Sequence, residues 1–307
     1  MMIDLTETTT GAIRDTLMQA RVQLGGPALG MVLTLIIVTD ESGQYDAVRA
    51  ASQAAREHPC RIIGVITRRP AARSRLDAEI RVGDTSPGET LLLRMHGPVG
   101  QHADSVVAPL ILPDIPVVTW WPDLAPAIPS ADPLGALAQR RITDAAASDK
   151  PRQMLTALAS GYRPGDTDLS WTRATPWRSL LAATLDQPYA EMSSAAVSAE
   201  EHNPSADLIA TWLADKLDIP VTREISGGPG ITDVTFVTEE GNITLCRPDG
   251  RNATLSKPGQ TDRPVALHRR DTAELLTEEL RRLDPDLVYA EVLTRFAEHP
   301  VGDDAVA

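Results

Sequence analysis

MVLTLIIVTDESGQYDAVRAASQAAREHPCRIIGVIT, residues 31–67, decides the fold. Residues 31–39 are a near-continuous apolar run rich in β-branched side chains, which suits a strand covered on both faces. Asp40-Glu41-Ser42-Gly43 makes a turn, and Tyr45 to Glu57 is then alanine-rich. Ala47, Val48, Ala51, Ala54 and Ala55 recur at helical spacing and give that helix one apolar side. Arg61 to Thr67 is a second apolar strand. Strand, helix and strand at this spacing form a βαβ unit, which demands parallel strands and a right-handed crossover.

Working outward, Thr10 can cap a preceding helix with Ile13, Leu17, Ala20 and Leu24 at helical spacing, ended by Gly25-Gly26-Pro27. Downstream, Glu79 to Val82 and Glu89 to His96 read as strands joined through 83–88. Val99, Ala103, Val106, Val107, Leu110 and Ile111 predict a helix stopped by Pro113, and Ile115 to Trp121 another apolar strand. That is a second βαβ unit. Beyond a Pro-rich stretch, Asp132 and Pro133 predict the start of a helix over Leu134 to Ala147, with a further helix over Arg152 to Ala159. Residues 1–165 therefore read as an N-terminal α/β domain with a mostly parallel sheet.

Residues 166–307 read as a C-terminal α+β domain. It opens on DTDLSWTRATPWRSLLA, 166–182, where Trp171 and Trp177, two of the chain's five tryptophans, alternate with Arg173 and Arg178. Pro176 stands where a helix would begin, and Pro188 where it would close. Trp and Arg are the residues most enriched at energetic anchors of protein contacts, so the segment is either a docking surface or a pin between two domains. A possible strand over Tyr189 to Val197 follows, and Asn203-Pro204 then starts a helix with Leu208, Ile209, Trp212, Leu213 and Leu217 on one face. Pro220 to Ile225, Ile231 to Thr238, Asn242 to Arg247 and Ala253 to Ser256 read as strands whose short connections favour antiparallel pairing. Asp271 and Glu274 resemble a capping box for the first of two closing helices, before a frayed tail.

A net charge of −13, from 42 acids against 29 bases, repels nucleic acid and anionic membrane. The start is acidic and polar, unlike a signal peptide, and no apolar run approaches the ~20 residues of a membrane span. Two cysteines, Cys60 and Cys246, suit a reducing compartment, and the cytoplasm is expected.

Chemistry-bearing motifs are sparse. Cys60 lies two residues from His58, but with a proline between them and no evident orienting acid it reads as a packed structural thiol. Gly227-Gly228-Pro229-Gly230 lacks the Lys-Ser/Thr of a P-loop and reads as a tight turn. The six histidines are scattered, so neither a metal nor a cofactor site is expected. Arg140 and Arg141, with Asp144 nearby in sequence, could bind an anion, although a solvated or inter-domain ion-pair network is the commoner use of such a group. Asp40 and Trp120-Trp121-Pro122-Asp123 fall at the carboxyl ends of their strands, the edge where open α/β sheets hold ligands.

Five segments in order, EHPCR (57–61), WWPD (120–123), DPLGALAQRRITDA (132–145), TDLSWTRATPWRSLLA (167–182) and NPSADLIATWLADKL (203–217), resemble the OpcA family of glucose-6-phosphate dehydrogenase assembly proteins of actinobacteria. The resemblance covers most of the chain. It implies a non-catalytic partner of glucose-6-phosphate dehydrogenase in the oxidative pentose phosphate pathway. From residue chemistry, the expected partner contacts are Trp171, Arg173, Trp177 and Arg178, then Trp120 and Trp121. The rival expectation is a sugar-phosphate sensor or enzyme using Asp40, Trp121 and Asp123, with Arg140 or Arg141 on phosphate.

Overall fold

The structure is a computed structural model and describes residues 1–24, 30–68, 72–83, 88–186 and 189–298. The expected helix stop at Gly25-Gly26-Pro27, most of the 83–88 turn, Pro188 and the tail lie outside the described residues. The chain forms two compact units from interleaved segments. Residues 1–147, 163–167 and 271–285 make the first, and 148–162, 168–270 and 286 onward make the second.

Fourteen strands and eight α-helices carry the described chain. In chain order they begin with β1 (Met2–Leu5), α1 (Thr10–Gln23), β2 (Leu33–Thr39), α2 (Gln44–Ala54), β3 (Cys60–Arg68), β4 (Arg75–Val82) and β5 (Gly88–His96). After α3 (Ala103–Val107), β6 (Val117–Trp120), β7 (Arg140–Thr143), α4 (Pro151–Gly161) and β8 (Asp166–Asp168) comes α5 (Leu169–Leu185). The rest is β9 (Met192–Ala199), α6 (Pro204–Leu217), β10 (Val221–Ile225), β11 (Ile231–Thr238), β12 (Gly241–Cys246), β13 (Asn252–Ser256), β14 (Arg263–Ala266), α7 (Thr272–Arg281) and α8 (Leu287–Glu298).

Eight strands form the first sheet in the order β1-β4-β5-β3-β2-β6-β7-β8. β5, β3, β2, β6 and β7 run parallel, whereas β4 and β1 add antiparallel at one edge. The parallel centre follows from sequence: β2 is buried at six of its seven positions, so helices must cover both faces. On one face Ile13 and Leu17 of α1 pack with Ile80, Leu91, Leu93 and Ile36. On the other, alanines let α2 approach closely. Gly64 of β3 completes that fit, since a Cβ there would meet Leu92 Cδ2 at 2.9 Å, with Val48 of α2 4.0 Å away.

The second sheet runs β10-β9-β11-β12-β13-β14. It is antiparallel except where α6 carries the chain from β9 to a parallel β10. Trp177 and Leu181 of α5, Ile209 and Leu213 of α6, and Val197, Val234 and Phe236 of the sheet share its core. Among the described residues no helix is long and apolar enough to cross a membrane.

Three local expectations change. The helix expected over Leu134 to Ala147 is instead a short 3-10 turn followed by β7. Asp132 Oδ1 accepts from the Leu134 and Gly135 amides, but only for that turn. The chain then lies beside β6, where Arg140 pairs in register with Val118. The helix expected over 99–111 is broken into α3 and flanking 3-10 turns, with prolines at the start of each turn. Pro176 does not begin a helix: α5 starts seven residues earlier, where the Asp168 side chain accepts from the Ser170 amide.

Candidate functional site

The Trp/Arg segment forms most of α5, and its tryptophans point inward. Trp171 and Trp177 are each 1% exposed. Trp171 Nε1 donates to Asp286 Oδ2 at 2.8 Å, and its ring meets Tyr289 of α8 at 5.8 Å between centroids. The Arg178 guanidinium lies 3.5 Å from the centre of the Trp171 ring, and that of Arg247 lies 5.0 Å from Trp177. Such cation–π contacts add to the hydrophobic burial of each indole. The helix therefore reads as a structural axis of its unit. Arg173 and Arg178 are the half-exposed members of the predicted set.

Pro176 sits inside α5 and has no N–H to give the Thr172 carbonyl, its partner four residues back. Arg270 Nη2 donates to that carbonyl instead. A side chain nearly a hundred residues downstream thus supplies a donor where the proline removes one.

Trp120 and Trp121, at the end of β6, are 0% and 2% exposed. In this conformation none of these four indoles offers area to a partner. Arg140 and Arg141 are buried too, and being adjacent on a strand they face opposite sides of the sheet. Arg140 donates to Glu279 and to the Asp284 carbonyl, both of the first unit. Arg141 donates to Asp166, the Ala138 carbonyl and the Pro164 carbonyl. Burial raises the Asp166 carboxyl above its ordinary value even against the pull of Arg141. The pair therefore cannot converge on one anion, and the anion site expected there gives way to internal ion pairs.

The carboxyl edge of the sheet brings Thr39, Asp40 and Asp123 together, as their strand-end positions predict. Thr39 Oγ1 donates to Asp123 Oδ2 at 3.2 Å, and these two side chains fill the space a Cβ would take at Gly43. Asp40 Oδ1 accepts from Ser42 Oγ, the Ser42 amide and the Gly43 amide at the start of α2. Those bonds hold its carboxyl below the usual range. The edge is occupied by turn contacts.

Cys60 is 1% exposed, and burial pushes its thiol up to about 12, so it is held protonated and inert at neutral pH. His58 Nε2 bonds the Thr277 carbonyl at 3.1 Å. Both cysteines are free. In the Gly227–Gly230 turn, Gly228 and Gly230 have positive φ and Glu200 packs against Gly228, a carboxylate unsuited to a phosphate cradle.

Sequence reasoning missed two groups. One is Glu89, 4% exposed, which accepts from Arg21 and Arg61 while Arg61 also donates to the Leu110 carbonyl. Burial pushes the Glu89 carboxyl up, but the two guanidiniums outweigh it and hold the group below its ordinary value. The other is a groove of about 490 Å³ beside α2, lined by Arg49, Arg56, Arg81 and Arg94 with Tyr45 and Leu92. A visible signal existed for it: Tyr45, Arg49, Ser52 and Arg56 follow one another at helical spacing, and β4 alternates apolar and charged residues strictly.

Comparison with known proteins decides the family. One family model, the glucose-6-phosphate dehydrogenase subunit N-terminal domain, matches residues 51–160, and the corresponding C-terminal domain model matches 164–293. The chain belongs to the OpcA family. The family resemblance read from the five sequence segments is thereby established. A candidate OxPP cycle protein OpcA of Synechocystis sp. is 27% identical over 226 residues, which is 66% of this chain. The chain spans 44% of that relative's length. Among solved structures, two of KijD10, a 3-ketoreductase from Actinomadura kijaniata, align over 87% of this chain and 94% of theirs. Their identities are 12% and 11% and both TM-scores are 0.47, values at which the likeness says nothing about this OpcA chain's chemistry.

Proposed function

We propose that this OpcA chain is a non-catalytic partner of glucose-6-phosphate dehydrogenase, which it binds and shifts toward a more active assembly. Its role is then to support NADPH production by the oxidative pentose phosphate pathway. The observation carrying this reading is that two domain models, both described as parts of a glucose-6-phosphate dehydrogenase subunit, match 51–160 and 164–293 in order. A binder activates only by holding the active state more tightly than the inactive one. A tenfold shift of that equilibrium needs about 1.4 kcal/mol of differential affinity, well within the reach of a modest interface.

The partner surface on α5 is proposed to run through Arg173 and Arg178, with the buried indoles of Trp171 and Trp177 fixing the helix that presents them. The rival reading, a sugar-phosphate site at the carboxyl edge, is weakened by the local contacts of Asp40 and Asp123 and by the internal ion pairs of Arg140 and Arg141. The test is the initial rate of NADP reduction by the purified dehydrogenase, with and without a molar excess of this chain. A raised rate, reduced by Arg173→Ala with Arg178→Ala, is the expected result. An unchanged rate across the titration overturns the activator reading.

A further inference from the structure

The helix-flanked groove on the first sheet joins two basic walls. On one side, Tyr45, Arg49, Ser52 and Arg56 form a stripe along α2 and the residues just after it. Four-three-four spacing places them in line on the helix surface, away from the buried Ala47, Ala50, Ala51 and Ala54. Arg49 is 61% exposed and its guanidinium lies 5.8 Å from the centre of the Tyr45 ring. On the other side, Arg81 of β4 and Arg94 of β5 share the sheet face that carries Leu92 and Glu79.

Glu79 organises that second wall. Its Oε1 accepts from Arg81 Nε at 2.6 Å and its Oε2 from Arg94 Nη2 at 3.1 Å. One carboxylate thus holds two guanidiniums side by side, and each retains donors beyond those it spends on Glu79. Preorganised side chains lose little freedom when a ligand arrives. Four arginines face the groove while, among the described residues, ion pairs join them to Asp46 and Glu79, an excess of positive charge in a chain of net −13. The guanidinium fork matches the oxygens of phosphate in pairs. A volume of about 490 Å³ is the size of a small-molecule site.

We infer that this groove binds a phosphorylated small molecule, with Arg49 and Arg56 contacting it from the helix wall and Arg81 and Arg94 from the sheet wall. The ring of Tyr45, 74% exposed, gives a flat surface at the helix-wall end for a base or sugar. The inference rests on the first unit alone and is independent of the dehydrogenase reading.

Isothermal titration of the full chain with sodium pyrophosphate and with ADP, at ionic strength fixed with NaCl, tests it. Saturable binding of both is expected. The exposed double variant Arg49→Gln with Arg56→Gln should bind about tenfold or more weakly while keeping the wild-type circular dichroism spectrum and melting temperature. Tyr45→Ala should lower the affinity for ADP and leave pyrophosphate unchanged. Absence of saturable heat from either titrant up to millimolar concentrations overturns the proposal, as does unchanged binding by the double variant. If the double variant loses capture of the dehydrogenase while no phosphate compound binds, the groove serves an acidic protein segment and the small-molecule site is refuted. No dehydrogenase enters the titration, so its failure leaves the partner reading standing.

Discussion

The repair of α5 at Pro176 can be measured as a coupling energy. Thr172 is buried, and with proline four residues on, its carbonyl lacks the helical donor and accepts from Arg270. Leaving a buried carbonyl unsatisfied costs about 1–3 kcal/mol, and hydrogen bonds from charged groups contribute about 1.5–3 kcal/mol. Arg270→Met removes the guanidinium but keeps an apolar stem, so about 2 kcal/mol should be lost. Pro176→Ala restores an N–H aimed at the same carbonyl. In that background the carbonyl keeps a donor, and Arg270→Met should cost less by about 1 kcal/mol or more. Other contacts of Arg270 appear in both backgrounds and cancel. The assay is urea unfolding of the wild type, both single variants and the double variant, followed by far-UV circular dichroism and tryptophan fluorescence. If the two substitutions add within about 0.3–0.5 kcal/mol, Arg270 is not replacing the missing helical bond and the reasoning fails.

Other consequences are direct. Trp177→Ala empties a site packed by Leu181, Ile209 and Phe236 and should cost about 3–5 kcal/mol, read as a lower melting temperature; a variant with wild-type stability would mean the indole is not core. Glu89 has a folded-state pKa below its ordinary 4.5, so its stabilising contribution is present above that value and lost as pH falls through the lowered one. Glu89→Gln should therefore flatten the fall of melting temperature below pH 4.5, and an unaltered slope would remove Glu89 from the account. Cys60, buried with its thiol near 12, should resist a thiol reagent at pH 8 until the chain is unfolded, whereas partly exposed Cys246 should react in the native protein. Mass spectrometry of the modified peptides distinguishes them, and prompt labelling of Cys60 would contradict its burial.

The fold was legible where burial leaves a local trace. β2 and β3 are near-continuous apolar runs, and the small residues of α2 match its close approach to Gly64. The capping box of α7 was visible because both of its partners lie within one helical turn. β7 was read as part of a helix because Asp132 and Pro133 have the form of a helix start. The burial of Arg140 and Arg141 on a strand is permitted by Glu279 and Asp166, residues distant in sequence. Pro176 was misplaced for a similar reason: the Arg270 side chain that bonds the carbonyl it leaves without a helical donor is distant in sequence. Trp171 and Trp177 were read as either a docking surface or a pin between two domains, and the structure buries both. Composition alone could not tell an interior anchor from an exposed one, since both uses favour Trp beside Arg.

The central claim is physical association with glucose-6-phosphate dehydrogenase. Sedimentation velocity of the dehydrogenase alone, this chain alone and their mixture measures it without relying on activity. The account predicts a faster-sedimenting boundary in the mixture that contains both proteins and grows with the concentration of this chain. Two boundaries that sediment as the separate components across micromolar concentrations would contradict it.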